Sequence, residues 1–143
     1  MSILFHSLYP CKTVPHKADI KKWLVKIVSE HKRKLGPVNI IFVNDEKILE
    51  INQKYLNHDY LTDILTFNYN TEKLISGDIY ISIERVEENA QKFNCTFQTE
   101  ILKVIVHGFF HLLGFDDKTK TQKTVMRNLE ENALQDFHIS GTR

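Results

Sequence analysis

The sequence predicts a single α/β (α+β) domain, residues 1–143, in which a small mixed four-stranded sheet is packed with about five helices. Two observations carry this. Apolar residues recur at helical spacing in some segments, while others are short β-branched and aromatic runs. The segments follow in the order β-α-β-α-β-β-α-α-α, without a repeat, a linker or a low-complexity stretch, which suits a small sheet covered by helices. Composition agrees: 143 residues, 42% hydrophobic and 26% charged, with five Gly and three Pro, are globular proportions.

Ile3–Phe5 reads as a short strand. After Pro15 a long amphipathic helix places Ile20, Trp23, Leu24, Ile27, Val28 and Leu35 on one stripe, and Gly36-Pro37 is expected to stop it. Val38–Val43 is a strand. Asn44 or Asp45 can cap the next helix, Glu46–Tyr55, with Ile48, Leu49, Ile51 and Tyr55 inward. Thr62–Phe67 and Asp78–Ile83 are strands separated by a polar stretch that contains Gly77. Glu84–Lys92 is helical, and Thr99–Leu113 is a strongly apolar helix ending at Gly114. Thr121–Phe137 is the last helix, with Val125, Met126, Leu129, Ala133, Leu134 and Phe137 along one stripe.

Several classes are excluded. No apolar run approaches the ~20 residues of a membrane span; the longest candidate, Ile101 to Phe115, is interrupted by Lys103, His107 and His111. Ile3 to Leu8 is too short for a signal peptide, and His6 breaks it. Cys11 and Cys95 make neither a disulfide framework nor a CxxC, so a reduced, cytoplasmic protein is expected, with no membrane partner. The net charge is +1, but residues 12–34 carry eight cations, Lys21, Lys22, Lys26, Lys32 and Arg33 among them, against Asp19 and Glu30. Lys118, Lys120, Lys123 and Arg127 form a second basic group. Such runs are either solvated helix faces or a surface that follows phosphates.

The segment that carries chemistry is HGFFHLLGFDD, residues 107–117. His107 and His111 are i and i+4 on a predicted helix, one turn apart on the same face, where two imidazoles can converge on one metal ion. Gly114 lets the chain leave the helix and turn back, because Gly accepts positive φ. The turn brings Asp116 and Asp117 toward the histidines, and a carboxylate from it would complete three ligands, leaving a position open as catalytic sites do. The plainer alternative is two core histidines. Buried imidazoles need polar partners, however, and Val104, Ile105, Val106, Phe109, Phe110 and Leu112 offer none. In a zincin peptidase the motif is HExxH, with Glu as general base. Here that position is Gly108, which can take no proton.

These residues resemble the YbeY family of bacterial rRNA-maturation proteins, whose signature is HGxLHLLGYDH with three zinc-binding histidines. Its first two ligands fall on His107 and His111, and its third on Asp117, where Asp replaces the usual His. Asp116 is the competing third ligand. The family block LNxxYR…TDVLSF is similar to Ile51–Leu56 followed by Thr62–Phe67. GDI stands at Gly77–Ile79, and the Met and Glu of the family's last helix are similar to Met126 and Glu130. The resemblance implies a metal-dependent, single-strand-directed endoribonuclease that acts in 3′ maturation of small-subunit rRNA and in ribosome quality control. Ribosomal RNA and the ribosome are its implied partners.

The expected cofactor is zinc, one ion per chain, although two His and one carboxylate also suit manganese, iron or nickel. An anionic ligand neutralises part of the metal's charge, so bound water should be less acidified than in a three-His site. Leu56 stands where the family has an Arg suited to phosphate. His58, nearby, is a candidate to be protonated near a phosphate, or simply an exposed loop histidine. Asp116 and His58 are the candidate catalytic groups. Asp63 and Asp78 are candidates to accept the free N–H of a ligating histidine, or else cap turns. Lys21, Lys22, Lys26, Lys32 and Arg33 are the expected RNA-binding residues, and a monomer is expected. Other readings are a peptide-directed metallohydrolase, a ribosome-associated RNA-binding factor with a structural metal, and a dioxygen-using iron protein.

Overall fold

The computed structural model describes residues 2–8 and 14–139; Cys11 and Lys12 lie outside them. Among the described residues, four strands and five helices form one domain. They are β1 (Ile3–Ser7), α1 (Lys17–Glu30), β2 (Lys34–Val43), α2 (Asp45–Leu56), β3 (Ile64–Asn68), β4 (Leu74–Ser82), α3 (Ile83–Lys92), α4 (Phe97–Leu112) and α5 (Lys120–Asp136). The expected α/β class and mixed sheet are present. Strand order is β1-β2-β4-β3, with β1, β2 and β4 parallel and β3 antiparallel to β4. Parallel neighbours require crossovers. Helix α1 supplies the first, and α2 together with β3 supplies the second.

Alternation along β2 assigns the two faces of the sheet. Val38, Ile40 and Phe42 join the main core with α1, α3 and α4. Ile41 and Val43 point the other way, against Ile48 and Ile51 of α2 and Leu65 of β3. Helix α4 is buried nearly all round, as its composition requires. Phe109 and Phe110 are among its fully buried side chains, and it packs on β3, β4, α1, α3 and α5. Trp23 Nε1 donates to Ala133 O at 2.7 Å, tying α1 to α5 across 110 residues of sequence.

Helix starts follow local chemistry. The side chains of Asn44, Ser82 and Thr96 accept backbone N–H bonds at the heads of α2, α3 and α4, and Thr119 with Gln122 forms a capping box on α5. Some boundaries differ from expectation. Helix α1 ends at Glu30, and Leu35, Gly36 and Pro37 belong to β2, with a register irregularity between Leu35 and Val38. Lys34 and Leu35 pair with Leu74 and Ile75 of β4, a partner that local periodicity does not reveal. For the same reason β4 begins earlier than expected, and Gly77 lies inside it. Among the described residues no helix is long and apolar enough to cross a membrane.

Candidate metal centre

Helix α4 lies flat against the sheet where it carries the histidines. A Cβ on Gly108 would stand 3.0 Å from Ile64 Cδ1 and 3.1 and 3.2 Å from two methyls of Ile79. Position 108 therefore faces the strands at a distance that suits glycine. A peptidase-type Glu would point into the core there rather than at a metal. His107 and His111 are both partly exposed.

Beyond Leu113, Gly114 adopts φ +104°, a conformation L-residues seldom take. Phe115 N donates to Phe110 O at 3.0 Å, closing the turn, and Asp117 comes back over the histidine face. His107 Nε2 and His111 Nε2 are 3.0 Å apart. Asp117 Oδ2 is 3.2 Å from the first and 3.5 Å from the second. Ligands about 2.0–2.1 Å from a tetrahedral ion stand roughly 3.3 Å from one another, so the three atoms fit one ion with a position left open. Among the described residues, His107, His111 and Asp117 are the group placed to hold a metal. Asp116 is exposed.

The other nitrogen of His107 is held from α5. His107 Nδ1 lies 2.5 Å from Glu130 Oε2. A carboxylate can only accept, so Nδ1 carries the proton and Nε2 presents its lone pair. Burial pushes the His107 pKa down. The Glu130 hydrogen bond and charge, with the charges of Asp117 and Asp63, outweigh it and raise the pKa above the ordinary histidine value. Burial likewise raises the Asp63 carboxyl, opposed by the positive field of His107.

Asp63, His107, Asp117 and Glu130 line one cleft of about 720 Å³ between α3, α4, α5 and the start of β3. Its basic members are Lys103, Lys123 and Arg127. The other expected residues sit elsewhere. Asp78 accepts from Asn39 Nδ2 at 3.0 Å on the opposite face of the sheet, so the carboxylate on His107 Nδ1 is Glu130 and not Asp78. His58 stacks on Tyr60 in an exposed loop, its Nδ1 3.0 Å from the Tyr60 hydroxyl, and does not line the cleft. Leu56 closes α2, half exposed. Lys21, Lys22 and Lys26 lie on α1, and Lys32 and Arg33 in the turn after it, none of them lining the cleft.

Two functional features have no spacing signal. Lys103 stands one turn before His107 on α4, where it breaks an apolar run. Glu130 is buried on the same stripe of α5 as Met126 and Ala133. Besides the family resemblance at Met126 and Glu130, a charge inside an apolar stripe is the sequence cue that points to it, because a buried carboxylate requires a partner.

Comparison with known proteins agrees with this geometry. The family model described as "Endoribonuclease YbeY" matches residues 10–138. The chain is 44% identical over 117 residues to the endoribonuclease YbeY of Flavobacterium psychrophilum, spanning 82% of this chain and 84% of that protein. To the Bacteroides fragilis protein of the same name it is 39% identical over 118 residues, spanning 82% and 85%. It is also similar to the solution structure of TM1509 from Thermotoga maritima, with TM-score 0.65, 32% identity and 99% of each chain covered. With a match along nearly its whole length and a convergent His-His-Asp group where the signature falls, the chain belongs to the YbeY family.

Proposed function

We propose that this protein is a metal-dependent endoribonuclease that cleaves single-stranded RNA during rRNA processing, including 3′ maturation of small-subunit rRNA, and serves ribosome quality control. The observation that carries this is the convergence of His107 Nε2, His111 Nε2 and Asp117 Oδ2 at 3.0–3.5 Å in a cleft that also holds cations. Family membership supplies the substrate class. The ion is zinc, one per chain, held by His107, His111 and Asp117, since two imidazoles and a carboxylate with an open position form a catalytic zinc set. When bound, it supplies Lewis acidity toward a phosphoryl oxygen and acidifies water.

The chain's own residues do the rest. Glu130 keeps His107 in the tautomer that offers Nε2. Lys103, Lys123 and Arg127 hold the flanking phosphates, and the α1 cations Lys21, Lys22, Lys26, Lys32 and Arg33 extend the basic surface for the ribosomal RNA. Gly108 excludes a neighbouring carboxylate base, and the candidate Asp116 is exposed and does not line the cleft. His58, outside the cleft, is suited to a phosphate farther along the strand. Asp63 adds negative field behind His107. The protein acts as a cytoplasmic monomer on the ribosome.

The test is elemental analysis of the purified protein beside His111→Ala and Asp117→Ala, followed by cleavage of single-stranded RNA with and without chelator. The expected result is about one zinc per chain in the wild type, lost or weakened in both variants, and cleavage that stops with chelator. A folded wild type that takes up no zinc and leaves RNA intact would replace this reading with that of an RNA-binding factor.

A further inference from the structure

The cleft continues past the histidines along α4. Glu100, Lys103 and His107 stand at i, i+3 and i+7, so they share one face, and Glu100 lies about 10 Å along the helix from His107. Glu100 is only 4% exposed, yet it lines the cleft. Its hydrogen-bond partner is the Cys95 thiol, which donates to Oε1 at 3.7 Å, a weak bond for a buried carboxylate. The metal group does not use it. At the end of α3, Phe93 lines the same cleft and is 55% exposed. The ammonium groups of Lys92 and Lys103 each lie 5.7 Å from its centroid. A large ring left open to solvent, flanked by cations and set beside a buried acceptor pair, is the equipment of a nucleobase site: a face to stack on, charges for the phosphate, and an edge reader.

We propose that the α3–α4 wall of the cleft, with Phe93, Glu100 and Lys103, is a nucleobase subsite selective for guanine in the strand presented to the metal group. Guanine alone among the RNA bases carries two adjacent donors, N1–H and the 2-amino group, on its pairing edge, which match the two oxygens of one carboxylate. Burial raises the Glu100 carboxyl above its ordinary pKa; the charge of Lys103 and the Cys95 thiol, which donates to Oε1, oppose that rise. Phe93 stacks the base, and Lys103 holds its phosphate. This inference rests on the endoribonuclease reading above.

The experiment uses the full zinc-loaded chain and short 2′-O-methyl oligouridylates followed by fluorescence anisotropy. The central position is uridine, guanosine or inosine, which lacks the 2-amino group. Guanosine should bind roughly tenfold tighter than uridine, with most of that gain lost for inosine. Glu100→Leu should erase the preference for guanosine over uridine. Phe93→Ala, a change at an exposed ring that the fold tolerates, should weaken every oligomer roughly tenfold. Equal binding of guanosine and inosine, a preference that survives Glu100→Leu, or a Phe93→Ala variant that binds as tightly as wild type would each overturn the subsite. Cleavage of unmodified single strands is measured in parallel. A wild type that cleaves none brings down the endoribonuclease reading and the subsite with it, whereas cleavage with an unchanged base preference in Glu100→Leu brings down the subsite alone.

Discussion

Replacing Glu130 with Gln tests how the centre is poised. The change keeps the shape of a buried side chain and one acceptor oxygen, but it removes the charge 2.5 Å from His107 Nδ1. Two consequences for zinc oppose each other. Losing the carboxylate makes Nε2 a poorer donor and its direction less fixed, which typically lowers metal affinity by about 10–100-fold. The same charge helps hold the His107 pKa above its ordinary value, so a proton competes with the ion in the wild type more than in the variant. Above the raised pKa only the first effect acts, and the full loss should be seen at the alkaline end of a pH series. As pH falls through that pKa, wild-type affinity declines by up to about tenfold per unit, and the gap between the proteins narrows.

Metal-free stability carries the complementary sign. A histidine pKa raised by folding contributes stability that is fully present below the unfolded value near 6.5 and is lost as pH rises through the folded one. Glu130→Gln should therefore cost the metal-free protein most on the acid side. Competitive titration with a chromophoric chelator over a series of pH values measures the first effect, and urea denaturation of the metal-free proteins measures the second. Equal zinc affinities at the alkaline end of the series, or a gap that widens on acidification, would refute the argument.

Three further outcomes are expected. Gly108→Ala gains about 1 kcal/mol of helix propensity, but its methyl meets Ile64 and Ile79 at 3.0–3.2 Å, where overpacking costs about 1–3 kcal/mol. A net loss near 1 kcal/mol should appear in urea denaturation, while Gly108→Glu should unfold the domain rather than create a peptidase. Gly114→Ala has free space around the new methyl, so its cost is the backbone strain of φ +104° alone, about 1–2 kcal/mol. It should weaken zinc binding as well, since this turn delivers Asp117, and calorimetry reads both. Lys123→Ala and Arg127→Ala should weaken single-stranded RNA binding for all sequences alike, each lowering the slope of log affinity against log salt by about 0.7. An unchanged slope would place the strand elsewhere.

Much of the centre was legible because its parts are local. The i, i+4 pair on an apolar helix and the Gly that ends it lie within eight residues and depend only on helical geometry, so His107, His111 and Gly114 fall where their spacing puts them. Asp117 rather than Asp116 came from the register of the family signature, and the turn directs Asp117 to both imidazoles. The end of α1 was misjudged because Leu35 suits a helical stripe, whereas its strand pairing with Ile75 is forty residues distant. Asp78 looked like Asp63 from its place beside a strand. Strand alternation turned it to the far face, onto Asn39.

By itself, then, the sequence determined the element types, the open-sided ligand pair and the absence of a base at position 108, since each depends on residues a turn or two apart. The tertiary structure alone decided which carboxylate holds His107, which cations reach the cleft, and why position 108 is glycine. Those depend on α4 lying between β4 and α5, and contacts such as His107 to Glu130 are made by chain closure over 23 residues rather than by any local period.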